Sequence, residues 1–310
     1  MSNLELALEP TYTLDVQAKK AKHWIIIGAG GNGGYLIPNL LRQISLQNRF
    51  LRLENKQIHS VTIIDADGVE DKNLTRQNFI QRDVGQNKAA VMANRYGAAF
   101  GVEVTYVTEY LSSPEMLEDI IKSAPGIPVI VGCVDNNATR LIVDKVFRNK
   151  KNMFWLDAGN EQWAGQVVVG YNAGKDVEKG NKAPHLFNLP AVTQMFPEIL
   201  EGGDKLPHEM SCAERAVSNP QNIQTNQTAA NLLMGFCNTI LTANVREGEG
   251  LKSHAVVFNI QAPSFATTLN KHRFLVKPVE EPKAEEKAVE VEVEVKKTPK
   301  KKKKTEEATA

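Results

Sequence analysis

Cysteine is scarce in this chain, with 3 among 310 residues. Cys133, Cys212 and Cys237 lie far apart and form no C-x-x-C pair. That argues against a disulfide framework and against a four-cysteine zinc site, so no zinc is expected. The histidines His59, His185 and His208 are scattered without ligand spacing, and no role is assigned to them. An excess of one charge is also lacking: Lys and Arg number 37 against 36 Asp and Glu, a net charge of +1. Nothing global therefore draws the chain to nucleic acid or to an anionic membrane. No apolar run approaches the roughly 20 residues of a membrane-spanning helix. The first residues, MSNLELALEPTYTLD, are acidic and lack the basic-then-apolar order of a secretion signal. A soluble, cytoplasmic protein is the expectation. No internal repeat is visible.

What is present is a core-forming chain. Apolar residues make up 42% of it, enough for one large α/β domain or one domain with an extension. Isoleucine-rich bursts at 24–27 and 60–65 read as buried parallel strands. Further strands are expected at 103–107, 128–132, 153–157 and 163–171. Helices are expected at 35–45, with Pro38 in the first turn, and at 88–100, 114–123 and 140–148. The alternation predicts a Rossmann-like, doubly wound, mostly parallel sheet with helices on both faces. Residues 1–21 read as an arm with a short strand near 12–16, and 22–171 as the nucleotide-binding core. Residues 172–276 complete the same domain: a long crossing loop to about 210, a helix at 222–242 and a hairpin at 255–260 and 265–268. Residues 277–310 are rich in Lys and Glu and read as a disordered, solubilising tail. The lysine block from Lys300 to Lys304 supports at most a weak contact with nucleic acid or an acidic partner.

The chemistry gathers at strand ends. Gly28, Gly30 and Gly33 form G-x-G-x-x-G between a strand and a helix, with Gly31 beside them. Such a loop lets the backbone approach phosphate at a helix N-terminus. Asp65 ends the second strand, placed for a ribose hydroxyl, and here a nicotinamide dinucleotide fits as well as ATP. Arg76 and Lys88 favour the triphosphate, which carries more charge than backbone N–H groups alone accommodate. Asp135 closes the fourth strand. Two readings stand for it, a Mg²⁺ ligand facing the phosphates and a helix N-cap; its place in the crevice favours the metal.

Gly28 to Gly33, Asp65-x-Asp67, Asn73-Leu74-x-Arg76-Gln77, Lys88-Ala89 and Asp135-Asn136-x-x-x-Arg140 together resemble the ThiF/MoeB/HesA family. So does Asp157-Ala158-Gly159 followed by Gly165-Gln166-Val167. These are the adenylating domains shared with ubiquitin-activating enzymes, and the likeness is nearest to bacterial ThiF-like proteins of plasmid-type systems. It covers about 22–171 well and reaches weakly to 242. The resemblance implies an ATP- and Mg²⁺-dependent adenylyltransferase acting on the C-terminal carboxylate of a small ubiquitin-like or sulfur-carrier protein. Asp65 holds the ribose in that scheme. Asn73, Arg76 and Lys88 hold the phosphates with Gln77 in support, and Asp135 binds the metal.

A homodimer is also implied. The family's N-terminal arginine, given across the dimer, has no match here; Lys19, Lys20 and Lys22 occupy that region but are not equivalent donors. Cys212, within Ser-Cys-Ala-Glu ahead of the 222–242 helix, resembles the cysteine that accepts a thioester in some relatives. It reads equally as an ordinary, partly buried cysteine. Cys133 and Cys237 read as core. Two competing functions are an NAD(P)-dependent oxidoreductase and a non-catalytic nucleotide-binding scaffold.

Overall fold

The computed structural model describes residues 12–174, 186–201, 205, 222–244 and 247–270. The expectations for Cys212 and for the tail after 276 lie outside them.

Six consecutive apolar or sequestered residues open the sheet. All of β1 (Lys22–Ile27) is buried, because Trp24 and Ile26 enter one core and Ile25 and Ile27 the other. A strand covered on both faces has no need of the polar alternation of a half-exposed one. β2 (Ser60–Ile64), β3 (Val104–Val107), β4 (Ile127–Gly132) and β5 (Met153–Asn160) join it in parallel. Antiparallel β6 (Ala164–Asn172), β7 (Ser253–Asn259) and β8 (Ser264–Leu269) extend the sheet. The strand order is β3-β2-β1-β4-β5-β6-β7-β8. Connections leave β1 toward β2 on one side and reach β4 on the other, so the crevice above β1 and β4 is the topological switch point where such sheets bind ligands.

Helix α1 (Gly31–Leu53) packs with α2 (Lys88–Phe100) and α6 (Ile223–Thr242) on one face. The other face carries α3 (Pro114–Lys122), α4 (Asn137–Asn149) and the short α5 (Val192–Met195). The described part of the crossing segment is more regular than its sequence suggests: Leu189 bridges Tyr171, and helical turns occupy α5 and Pro197–Glu201. Among the described residues no helix is long and apolar enough to cross a membrane.

Helix α1 departs most from expectation, beginning four residues earlier and ending eight later. Pro38 therefore lies two turns inside it rather than in its first turn. An interior proline withholds the N–H owed to the carbonyl four residues back. Here that is Gly34, and the Asn78 side-chain amide donates to it instead at 3.0 Å. The extra turns of α1 run into the polar residues after Leu46, where Asn48 is buried, its amide exchanging two hydrogen bonds with the His59 backbone (2.8 and 3.1 Å).

The described residues of the arm form no strand; a bridge from Leu14 to Leu251 and the bond from the Tyr12 N–H to the Asn270 carbonyl (2.8 Å) hold it. Lys22 is fully buried, donating from Nζ to the carbonyls of Gln17 (2.7 Å) and Lys20 (2.8 Å). Burial lowers its pKa to about 7, against the opposing pull of Asp15. Lys19, Lys20 and Lys22 precede or begin β1, at the opposite end of that strand from the glycine loop. Within the chain they do not complete the crevice.

His59 is a structural acceptor: its Nδ1 takes the Lys22 backbone N–H at 2.9 Å. Burial, aided by the nearby Lys22 charge, lowers its pKa to about 3. The unfolded chain binds a proton there below pH 6.5 and the folded chain does not. Stability is thus full above pH 6.5 and falls toward pH 3, by at most about 1.4 kcal/mol per pH unit from this group. Urea denaturation at pH 7.5 and pH 4.5 is expected to show this loss. His59→Gln should be less stable at neutral pH and show a shallower pH dependence.

Candidate nucleotide-binding site

The loop from β1 to α1 is built on two close approaches. Gly28 has a φ of +94°, and a Cβ there would meet the Cys133 carbonyl oxygen at 2.7 Å. A Cβ on Gly33 would lie 2.0 Å from the Gly28 carbonyl oxygen. Only glycine permits the first turn of α1 to press on the end of β1 in this way. Gly30 is the N-cap and gives no side-chain cap, and the first turn carries no acid. The leading N–H groups and the positive end of the helix dipole are left for an anion.

Asp65 buttresses the loop from β2. Its Oδ2 accepts the Ala29 N–H at 2.7 Å and its Oδ1 the Asp67 N–H at 2.9 Å. Burial pushes its pKa up, opposed chiefly by the Lys88 charge. Asn73 is buried, and its Oδ1 accepts the Glu70 N–H at 2.9 Å. Its carbonyl then takes the N–H groups of Arg76 and Gln77 at 3.1 and 2.8 Å. The visible work of Asn73 is to form the turn that presents those two residues. Arg76 is half-buried. Gln77 lies over Gly30, where an added Cβ would sit 3.4 Å from its Nε2, and its buried Oε1 has no hydrogen-bond partner.

Lys88 opens α2, with Asn87 as N-cap. Its Nζ pairs with Asp67 Oδ2 at 3.0 Å, while the Tyr110 hydroxyl bonds Asp67 Oδ1. Lys88 is buried and Asp67 half-exposed. The lysine therefore sits with a carboxylate partner on a path that a phosphate oxygen can take over. Tyr110 was not singled out from the sequence, since a tyrosine in a polar loop gives no signal by itself.

At the end of β4 the cap alternative for Asp135 is overturned. Asn136 is the N-cap of α4, its side chain accepting the Thr139 N–H at 2.8 Å, and Asp135 stands exposed one residue earlier. Arg140 shapes this loop from beneath. It donates to Asp157 Oδ1 (3.0 Å), Asn137 Oδ1 (3.0 Å) and the Val134 carbonyl (2.9 Å). The Arg140–Asp157 pair is buried on both sides. Burial raises the Asp157 pKa and Arg140 opposes the shift.

A row of amides missed by the sequence reading closes the site. Asn32 Nδ2 donates to Asn160 Oδ1 (2.7 Å), Asn160 Nδ2 to Asn226 Oδ1 (2.9 Å), and Asn226 Nδ2 to the Arg76 carbonyl (3.1 Å). Asn226 lies so close to Gly31 that a Cβ there would meet its Nδ2 at 2.6 Å. The N-terminus of α6 is thus fastened to the glycine loop and to the turn bearing Arg76.

The donor set fits a phosphorylated nucleotide: an uncapped helix N-terminus, a half-buried arginine and a lysine paired with a half-exposed carboxylate. No cluster of three metal-ligating side chains occurs among the described residues. Asp135 alone suits a Mg²⁺ ion held mostly by phosphates and water. Cys133 and Cys237 are core residues whose thiols burial pushes up, as expected from the sequence. Cys212 lies outside the described residues.

A model of the ThiF family matches residues 4–288. Curated proteins give no match by sequence. Solved structures of similar fold include E. coli MccB with AMPCPP and MccA, at 18% identity over 85% of this chain and 68% of that one, with a TM-score of 0.54. E. coli MccB with ATP matches at 18% identity over 82% and 65%, TM-score 0.51. PaaA matches at 16% identity over 82% and 65%, TM-score 0.50. The chain thus spans about 65% of the length of two of these three relatives.

Two outcomes follow for stability. Gly33→Ala should prevent α1 from seating and lower the thermal midpoint by several degrees, with nucleotide binding lost. Arg140→Ala strands the buried Asp157 charge, and a loss of about 3–5 kcal/mol is expected by chemical denaturation.

Proposed function

This chain belongs to the ThiF family, and we propose that it uses ATP to adenylate the C-terminal carboxylate of a peptide or small carrier protein. The observation that carries the reading is the convergence of the uncapped α1 N-terminus with the turn bearing Arg76 and Gln77, tied together through Asn226. Support also comes from the fold relatives, since MccB has been crystallised with ATP and with AMPCPP and MccA.

The triphosphate lies along the loop of Gly28, Gly30, Gly31 and Gly33, with Asp65 facing a ribose hydroxyl. Arg76 and Lys88 take the phosphate charge, Lys88 exchanging Asp67 for a phosphate oxygen, with Asn73 and Gln77 holding the turn. Asp135 is the residue that would hold Mg²⁺, whose charge adds to that neutralisation when bound. A carboxylate oxygen of the substrate forms a bond to the α-phosphorus. The bond from that phosphorus to the bridging oxygen breaks, and pyrophosphate leaves with its electron pair. The products are an acyl-adenylate and pyrophosphate. No protein nucleophile is needed; positioning and charge neutralisation lower the barrier.

The finer reading is that the substrate is a ubiquitin-like or sulfur-carrier protein, and that the Cys212 thiolate attacks the acyl carbon of its adenylate, forming a thioester as the bond to the phosphate oxygen breaks and AMP leaves. Cys237 is buried in the core and Cys133 is partly buried against it, and burial raises both thiol pKa values; this supports giving the covalent step to Cys212. An oxidoreductase or an inert nucleotide scaffold are the competing functions.

ATP–pyrophosphate exchange dependent on an added carrier or peptide with a free C-terminal carboxylate is expected. Arg76→Ala or Asp135→Ala should lower it about a hundredfold or more, with the thermal midpoint little changed. Exchange that ignores the substrate, or reduced-cofactor binding in place of exchange, would overturn the reading. Cys212→Ala should keep exchange and abolish any substrate adduct that is sensitive to thiols.

A further inference from the structure

Helix α1 is 23 residues long and contains no acidic residue, while its second half carries Arg42, Arg49 and Arg52. No ion pair engages any of these arginines among the described residues. Between them stand Leu46, Phe50 and Leu53, exposed by 44%, 53% and 82%. Their spacing of four and then three residues puts them on one face of the helix. Beside that ridge runs a groove of about 450 Å³ against the end of α2, lined by Arg42, Ser45, Leu46, Arg49, Phe100 and Gly101. Its walls are fixed. The Ser45 hydroxyl donates to the Phe100 carbonyl at 2.6 Å, and the Arg42 guanidinium lies 4.9 Å from the centre of the Phe100 ring.

We propose that this face docks an acidic amphipathic helix of a partner protein. Its apolar side would cover Leu46, Phe50 and Leu53, and its carboxylates would meet Arg42 and Arg49. An apolar ridge beside a groove is the surface that receives a helix through anchors at helical spacing. Arginines along its border select an acidic partner and speed its approach. A second copy of this chain is disfavoured, because two-fold pairing of the same face sets arginine-bearing helices together and α1 itself carries no acid to meet Arg42 and Arg49. A lipid surface leaves the concave groove unfilled. At 1.5 Å per residue, α1 carries this face up to about 35 Å from the glycine loop. Docking therefore leaves the nucleotide crevice open, and the inference does not depend on the reaction proposed there.

The test places a photoactivatable benzoylphenylalanine at position 50 of the full chain, expressed in its native host. The cross-linked segment is then sequenced by mass spectrometry. The expected adduct is a segment of another protein with apolar residues at helical spacing and acidic residues flanking them. Arg42→Glu with Arg49→Glu should cut its yield at least tenfold, with the thermal midpoint lowered only slightly by loss of the Arg42–Phe100 contact. Arg49→Glu alone, which breaks no contact within the described residues, should cut it several-fold and serves if the double variant is misfolded. A cross-link to another copy, to this chain's own residues, to lipid or to a basic segment would overturn the proposal. So would insensitivity to charge reversal, or no adduct above the unirradiated control.

Discussion

The carbonyl oxygen of Gly28 occupies the space where any side chain at position 33 would have to sit, and that contact decides how the first helix leaves the first strand. Because α1 starts at once, its N-terminal N–H groups face the switch point between β1 and β4 rather than solvent. Close packing then propagates. Gly31 lets Asn226 of α6 approach, Asn226 takes hold of the Arg76 carbonyl, and Gln77 lies over Gly30. A methyl group at Gly31 would displace Asn226, and one at Gly33 would collide with the Gly28 carbonyl.

Charge is managed by the same economy of space. Lys88 and Asp67 pair across the lip of the crevice, and Arg140 and Asp157 pair beneath it. The first pair is open to water on its Asp67 side, which is the basis for proposing that Lys88 exchanges partners. The second is sealed, and removing either member leaves the other charged in an apolar setting. It braces the loop that carries Asp135. Their difference lies in burial rather than in residue type.

Much of this was legible in the chain. Parallel strands buried on both faces announce themselves as apolar bursts, and β1 and β4 did so. The glycine spacing pointed to a helix after β1, though that helix starts at Gly31, inside the glycine run rather than beyond it. Helix α1 was drawn too short because its ends are glycine at one side and polar at the other. Asn48 is buried and bonded to His59, and Asn78 replaces the bond that Pro38 cannot give; neither leaves a periodic trace. The amide row was illegible for a related reason. Asn32 and Asn160 are 128 residues apart, and an asparagine carries no mark of whether it faces water or another amide. Only the polar residue within the glycine motif hinted at it. The cap reading of Asp135 failed by a single residue, since Asn136 takes the cap.

The central claim is that a substrate carboxylate attacks the α-phosphorus of ATP in the crevice between β1 and β4. Labelling that carboxylate with ¹⁸O and analysing the nucleotide after turnover tests it most directly. The account predicts AMP carrying one ¹⁸O atom, because the bridging oxygen of the acyl-adenylate comes from the substrate and leaves with AMP. Unlabelled AMP, or ADP with labelled phosphate, would contradict it.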